Sequence, residues 1–346
     1  MTTCRGLPKA GAPFYDAGML PCARLRRLFL CVAAAWLCAG AAAAADDLRL
    51  AVQKTGTLAW ELDVIRRHGL AEQANLKIVA VELASPEAGK IALRGGSADV
   101  IVSDWLWVSR ERSLGARLVF YPYSSALGAV MVAASSQVAG LADLRGRKLA
   151  VAGGAIDKSW LLLQGAAKQD GIDLKSEATI AYGAPRLLAE KTLQGEMDAT
   201  LNYWNICAWL EARGFRRLLG IEDVLPRLGA SGRAALLGYV FDEAWAAQNQ
   251  DTVSRFVAVT RKAKEILAAS DAEWEAIAPL AGAPDAATLK LYRDRYREGI
   301  PRRPIAEEEA DARALFGVLA AHGGPALVGG AVALAPGTFF RARPGG

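Results

Sequence analysis

The 346-residue chain is predicted to fold as an α/β protein of two similarly built lobes. Three observations lead there. Short β-like runs alternate with segments of helical period, the pattern of a sheet flanked by helices. The same progression recurs after about a hundred residues, most closely at "ALRGGSADVIVSD" and "TLQGEMDATLNYW": a helix, Leu-x-Gly, a short gap, Asp, then a strand. Two apolar segments, "SSALGAVMVAASS" (124–136) and "AALLGYVF" (234–241), are placed to carry the chain across and back.

In chain order, "LRLAVQK" (48–54) reads as a strand and "LAWELDVIRRHGL" (58–70) as an amphipathic helix ending at Gly69. "LKIVAVEL" (76–83) is the next strand. Ser85, Pro86 and Glu87 then combine an N-cap, a proline at the first helical position and an acidic first turn. That helix stops at Gly95-Gly96, before the strand 98–104. In the second lobe, strand 148–154 leads into helix 159–171, strand 177–183 into helix 184–195, and strand 197–204 closes the unit. The remaining helical segments, "DTVSRFVAVTRKAKEIL" and "DARALFGVLAAHGG", are expected to pack on the first lobe. The predicted division is 46–128 plus 237–335 for lobe 1 and 129–236 for lobe 2. Residues 336–346, rich in Gly, Pro and Arg, read as a disordered tail.

Residues 1–45 differ in kind. Arg24, Arg26 and Arg27 precede a short apolar run, and "AGAAAAADD" supplies an Ala-x-Ala cleavage site after Ala45. This is the pattern of a secretory signal peptide, with a start at Met19 giving the more usual leader length. Five basic residues against Asp16 place a net +4 of the chain's +5 in this segment. The remainder is close to neutral, which argues against nucleic acid as a partner. Four of the five cysteines also fall here, leaving Cys207 without a disulfide partner. The expected location is periplasmic.

Catalytic motifs are sparse. "VAGGAIDKSW" (151–160) resembles a phosphate-binding loop, but Asp157 stands where that loop needs a glycine before its lysine. His68 and His322 each precede glycine at a helix end, where an imidazole meets the C-terminal dipole favourably. No zinc spacing or nucleophile elbow is present, and no cofactor or metal is expected. Cys207 reads as buried packing, with a nucleophilic role as the alternative.

Binding chemistry is concentrated after the strands, where open α/β sheets hold their ligands. The candidates are Lys54, Thr55, Thr57, Trp60, Ser85, Ser103, Asp104 and Trp105 in the first lobe. In the second they are Gly154, Asp157, Lys158, Trp160, Tyr182, Asn202 and Trp204. Each has a competing structural role: an aromatic ring as core, a Ser or Asp as a helix cap.

With "ALRGGSADVIVSD", "GLADLRGRKLAVAGG" and "TLQGEMDATLNYW", residues 46 to 270 resemble the nitrate/taurine/alkanesulfonate class of periplasmic substrate-binding proteins. These serve ABC importers, and the class includes binders of a thiamine-pyrimidine precursor. The resemblance implies a type II periplasmic-binding-protein fold, a small-molecule ligand held between the lobes, and delivery by a monomer to an ABC permease. The loops depart from a simple anion site. Asp104 and Asp157 would repel an oxyanion if they faced the cleft, and the aromatic residues suit an aromatic or cationic ligand. Lys54 and Lys158 keep zwitterionic and sulfonate-like ligands open. Competing readings are an enzyme on the same fold using Cys207, and a periplasmic sensor presenting its ligand to a receptor kinase.

Overall fold

The computed structural model of the chain describes residues 45–53 and 56–341, together with Gly11. The expected signal peptide therefore lies outside the described residues, Gly11 and Ala45 apart, as do Lys54 and Thr55. The first lobe begins with β1 (Asp46–Val52), α1 (Leu58–Arg67), β2 (Leu76–Glu82), α2 (Pro86–Arg94), β3 (Ile101–Asp104), α3 (Trp105–Ser113) and β4 (Leu118–Ser124). The chain then crosses to β5 (Ala129–Ala133), β6 (Lys148–Ala152), α4 (Lys158–Gln169), β7 (Thr179–Gly183), α5 (Pro185–Leu193), β8 (Ala199–Asn202), α6 (Trp204–Glu211) and β9 (Phe215–Gly220). It returns through β10 (Leu237–Asp242) and finishes in α7 (Gln250–Ala269), α8 (Asp271–Ala281), α9 (Ala286–Glu298) and α10 (Ile305–Val328).

The two sheets share one topology. The second runs β7-β6-β8-β5-β9, with β6 parallel to β7 and β8, and β5 antiparallel to β8 and β9. In the first, β1 pairs β2, and β10 lies antiparallel between β3 and β4. A parallel bridge from Leu50 to Val100 joins these pieces into the order β2-β1-β3-β10-β4. Each sheet thus receives its antiparallel strand from the crossover connections, β5 in one and β10 in the other. The recurrence seen at Leu93-Arg94-Gly95 and Leu193-Gln194-Gly195 marks the same helix-to-strand turn in both.

The elements follow from local chemistry. Ser85 caps α2 by accepting the Ala88 N–H at 3.2 Å, with Pro86 at its first position. Proline also opens α5. In α1 the buried positions Leu58, Glu61, Val64 and Ile65 recur at helical spacing and form the inner stripe. One continuous buried cluster runs through both lobes, taking Trp105, Leu106 and Phe120 from the first and Leu149, Val151, Trp160 and Leu163 from the second.

Two expectations are corrected. The C-terminal helices do not pack only on the first lobe: α7 and α8 lie on α1, whereas α9 lies along α6 and α10 between α4 and α3. Amphipathicity shows that a helix is packed but not against which partner. Nor does order end at 336. Thr338 and Phe339 are buried, and the Phe339 ring meets Phe120 at 5.1 Å in edge contact. The Phe120 N–H donates to the Thr338 carbonyl, and the Phe340 N–H to the Phe120 carbonyl, both at 2.8 Å. Two large apolar rings outweigh the glycine and proline around them. Among the described residues, no helix is long and apolar enough to cross a membrane.

Candidate functional site

The strand ends of the two lobes meet along a cleft, and three groups of side chains lie there. The first is an ion pair between lobes. Asp104, at the end of β3, accepts the Trp107 N–H at 2.8 Å and so caps α3. Its other oxygen lies 2.9 Å from the Lys158 ammonium, at the first residue of α4. Burial works against both charges, but each partner offsets that cost for the other. The Asp104 pKa lies below its ordinary value and that of Lys158 above.

The second group is the Gly153-Gly154 loop. Both glycines have positive φ, +84° and +97°. A side chain on Gly153 would also lie 2.5 Å from the Tyr203 hydroxyl and 2.7 Å from an Asp157 oxygen, so only glycine fits. Asp157 caps α4 by accepting the Trp160 N–H at 3.2 Å. Burial raises its pKa to about 6, against the opposing effects of these cap bonds and Lys158. Burial, with Asp157 and Glu87 nearby, likewise pushes Tyr203 up to about 12.

The third group is a small void of about 10 Å³ lined by Thr57, Glu61, Tyr123, Ser124, Trp204, Lys264, Tyr296, Gly299 and Ile300. Its floor is charged but balanced. Glu61 pairs with Lys264, both buried, and accepts the Tyr296 hydroxyl at 2.7 Å and the Tyr239 hydroxyl at 3.3 Å. Thr57 and Tyr123 share a hydrogen bond at 3.2 Å, and Trp204 reaches in from the second lobe. Such a volume is about that of one water, so a larger solute enters only as the lobes part.

Of the sequence candidates, Thr57 and Trp204 line this void, Asp104 and Lys158 form the interlobe pair, and Gly154 and Asp157 belong to the second-lobe loop beside it. Several others are spent elsewhere. Trp60, Trp105 and Trp160 are buried core residues, Trp60 among Trp204, Trp274, Tyr292 and Tyr296. Each such ring removes roughly 150–250 Å² from water, a larger gain than one ligand contact. These three rings are corrected from ligand contacts to packing. Ser85 is a helix cap and Ser103 is buried. Asn202 donates to the Pro185 carbonyl at 2.9 Å and accepts the Tyr203 N–H, which leaves it little to offer a ligand. Tyr182 is exposed and outside the void.

Sequence reasoning missed Glu61, Tyr123, Lys264 and Tyr296. Glu61 and Lys264 were findable: each is a charge on the inner stripe of an amphipathic helix, Lys264 between Thr260 and Leu267. Cys207 is fully buried and its thiol faces the Asn202 carbonyl at 3.2 Å. Burial raises its pKa to about 12, which disfavours the thiolate at neutral pH.

A family model described as NMT1/THI5 like matches residues 66–273. No curated protein matches the chain. Among solved structures, the periplasmic aliphatic sulphonate binding protein SsuA from Escherichia coli aligns with a TM-score of 0.69 at 20% identity, over 86% of this chain and 92% of that one. The alkanesulfonate-binding protein SsuA from Xanthomonas axonopodis pv. citri, bound to MOPS, gives 0.65 at 20% identity over 86% and 98%. An ABC transporter protein from Parabacteroides distasonis gives 0.66 at 12% identity over 86% and 99%. The two-lobed fold is common to them.

Proposed function

The chain belongs to the NMT1/THI5-like family, and on that premise we propose that it is a periplasmic solute-binding receptor that delivers a small organic ligand to an ABC permease. The observation that carries this reading is the void enclosed by residues of both lobes, Trp204 from one and Thr57, Glu61, Tyr123 and Lys264 from the other. A solute held there contacts both lobes only when they are together, so its binding energy favours closure. Both SsuA proteins are sulfonate binders, which agrees with it.

The ligand we infer is zwitterionic or uncharged overall. Lys158 faces Asp104 and Lys264 faces Glu61, so neither lysine offers a surplus positive charge. An anionic group still finds the N-termini of α1 and α6, which have no side-chain cap. Trp204 supplies the apolar face.

A thermal-shift screen tests this with taurine as the zwitterion, hexanesulfonate as the anion and an aminomethylpyrimidine, protonated at its aliphatic amine, as the cation. A specific ligand at a hundred times its Kd adds about 2.7 kcal/mol to the native state and raises the melting midpoint. Taurine-like compounds are expected to give the largest shift. A larger shift with hexanesulfonate would overturn the ligand class, and no shift across a wide solute panel would overturn the receptor reading.

A further inference from the structure

Asp104 closes β3 in the first lobe, Lys158 opens α4 in the second, and their side chains meet directly at 2.9 Å. The carboxylate divides between two tasks. One oxygen caps α3 through the Trp107 N–H, and the other faces the ammonium. We propose that this pair is a latch between the lobes, stabilising their closed arrangement whether or not a solute is bound.

The physical argument rests on what changes when the lobes part. The cap is local to the first lobe and survives opening. The ion pair spans both lobes and does not: separation returns both charges to water. Its free energy therefore belongs to the closed arrangement alone, and any such difference shifts the opening equilibrium. The pair is only partly exposed, 30% at the lysine side chain and 11% at the aspartate, which makes it stronger than a surface pair.

Neighbouring groups reinforce the assignment. Asp157, beside Lys158 in sequence, turns one oxygen to the Trp160 N–H. From α2, Lys90 favours the Asp104 charge and Glu87 favours the Lys158 charge. The Tyr203 hydroxyl and an Asp157 oxygen both flank the place a Gly153 side chain would take. The latch stands on the two-lobed fold alone, so it holds or fails independently of the solute class proposed above.

The test uses the chain from residue 46 onward, unliganded, at low ionic strength. Asp104→Asn keeps an acceptor for the Trp107 N–H and removes the charge. Lys158→Met keeps side-chain length and touches no cap. Small-angle scattering and energy transfer between dyes on Glu72→Cys and Lys175→Cys, both exposed positions, report lobe separation. Each variant is expected to raise the open-to-closed ratio by about tenfold. The double variant should add nothing further, since the second change removes a partner already lost. Wild-type protein at about 1 M salt should open partly, because screening weakens the pair.

Unchanged scattering and energy transfer in both variants would overturn the latch, as would additive opening in the double variant. Should Asp104→Asn unfold, judged by its melting curve, Lys158→Met alone decides.

Discussion

Glu61 and Lys264 form an ion pair sealed beneath the cleft, with the Tyr296 hydroxyl donating to the second carboxylate oxygen at 2.7 Å. The pair ties α1 to α7, and Tyr296 adds α9, so one carboxylate anchors three helices around the void.

Removing one member strands the other. Glu61→Gln is expected to cost about 3 kcal/mol, because it leaves a buried ammonium without its counter-charge. The double variant Glu61→Gln with Lys264→Met should recover most of that loss. Urea denaturation midpoints at constant m-value check this. Equal losses in the single and double variants would show that the charges are not the cause.

Trp160→Ala measures packing rather than binding. The ring is buried beside Leu161 and Leu163 in the cluster shared by both lobes. The expected cost is about 3–5 kcal/mol, seen as a lowered melting midpoint. By contrast, Trp204→Ala removes a half-buried ring lining the void. It should weaken any solute identified by thermal shift by about tenfold, measured by calorimetry.

Asp157 makes stability depend on pH. Its folded pKa of about 6 lies above the ordinary value of 3.8, so the folded state holds the proton harder than the unfolded chain. The associated stabilisation is complete below about pH 4 and is lost as pH rises through about 6. Asp157→Asn keeps the cap acceptor and does not titrate. It should match wild type near pH 4 and exceed it by about 2–3 kcal/mol at pH 7.5. A difference independent of pH, in chemical denaturation at several pH values, would contradict the assignment.

Cys207 should resist a soluble disulfide reagent in the native protein at pH 8 and react fully once unfolded. Its burial and its raised pKa both suppress the thiolate. Rapid native labelling would reopen the enzyme reading.

The lobe pattern was legible because it rests on periodicity and on turns such as Leu93-Arg94-Gly95 and Leu193-Gln194-Gly195, which backbone geometry constrains tightly. The cleft was less legible. A residue after a strand is also the residue before a helix, and Ser85, Asp104 and Asp157 each serve as caps. Sequence alone does not say which oxygen is left over, and at Asp104 one is. The tryptophans misled for a related reason: Trp60, Trp105 and Trp160 sit where cleft and core adjoin, and the larger apolar gain lies inward. Glu61 and Lys264 carried the clearest unread signal, since an unbroken helical stripe places their charges among buried neighbours.

The bridge from Phe339 to Phe120 has a bearing on the order of assembly. Every strand of the second sheet comes from one uninterrupted span, residues 129 to 220. The first sheet must wait for β10, and the edge of β4 is covered only by residues 338–340. In a chain made from its N-terminus, the second lobe can form while synthesis continues. The first is completed only once β10 and residues 338–340 have followed, and until then β3 and β4 lack the strand that joins them. A chain shortened by even ten residues should therefore keep one finished lobe and leave the other with an open sheet edge, prone to association.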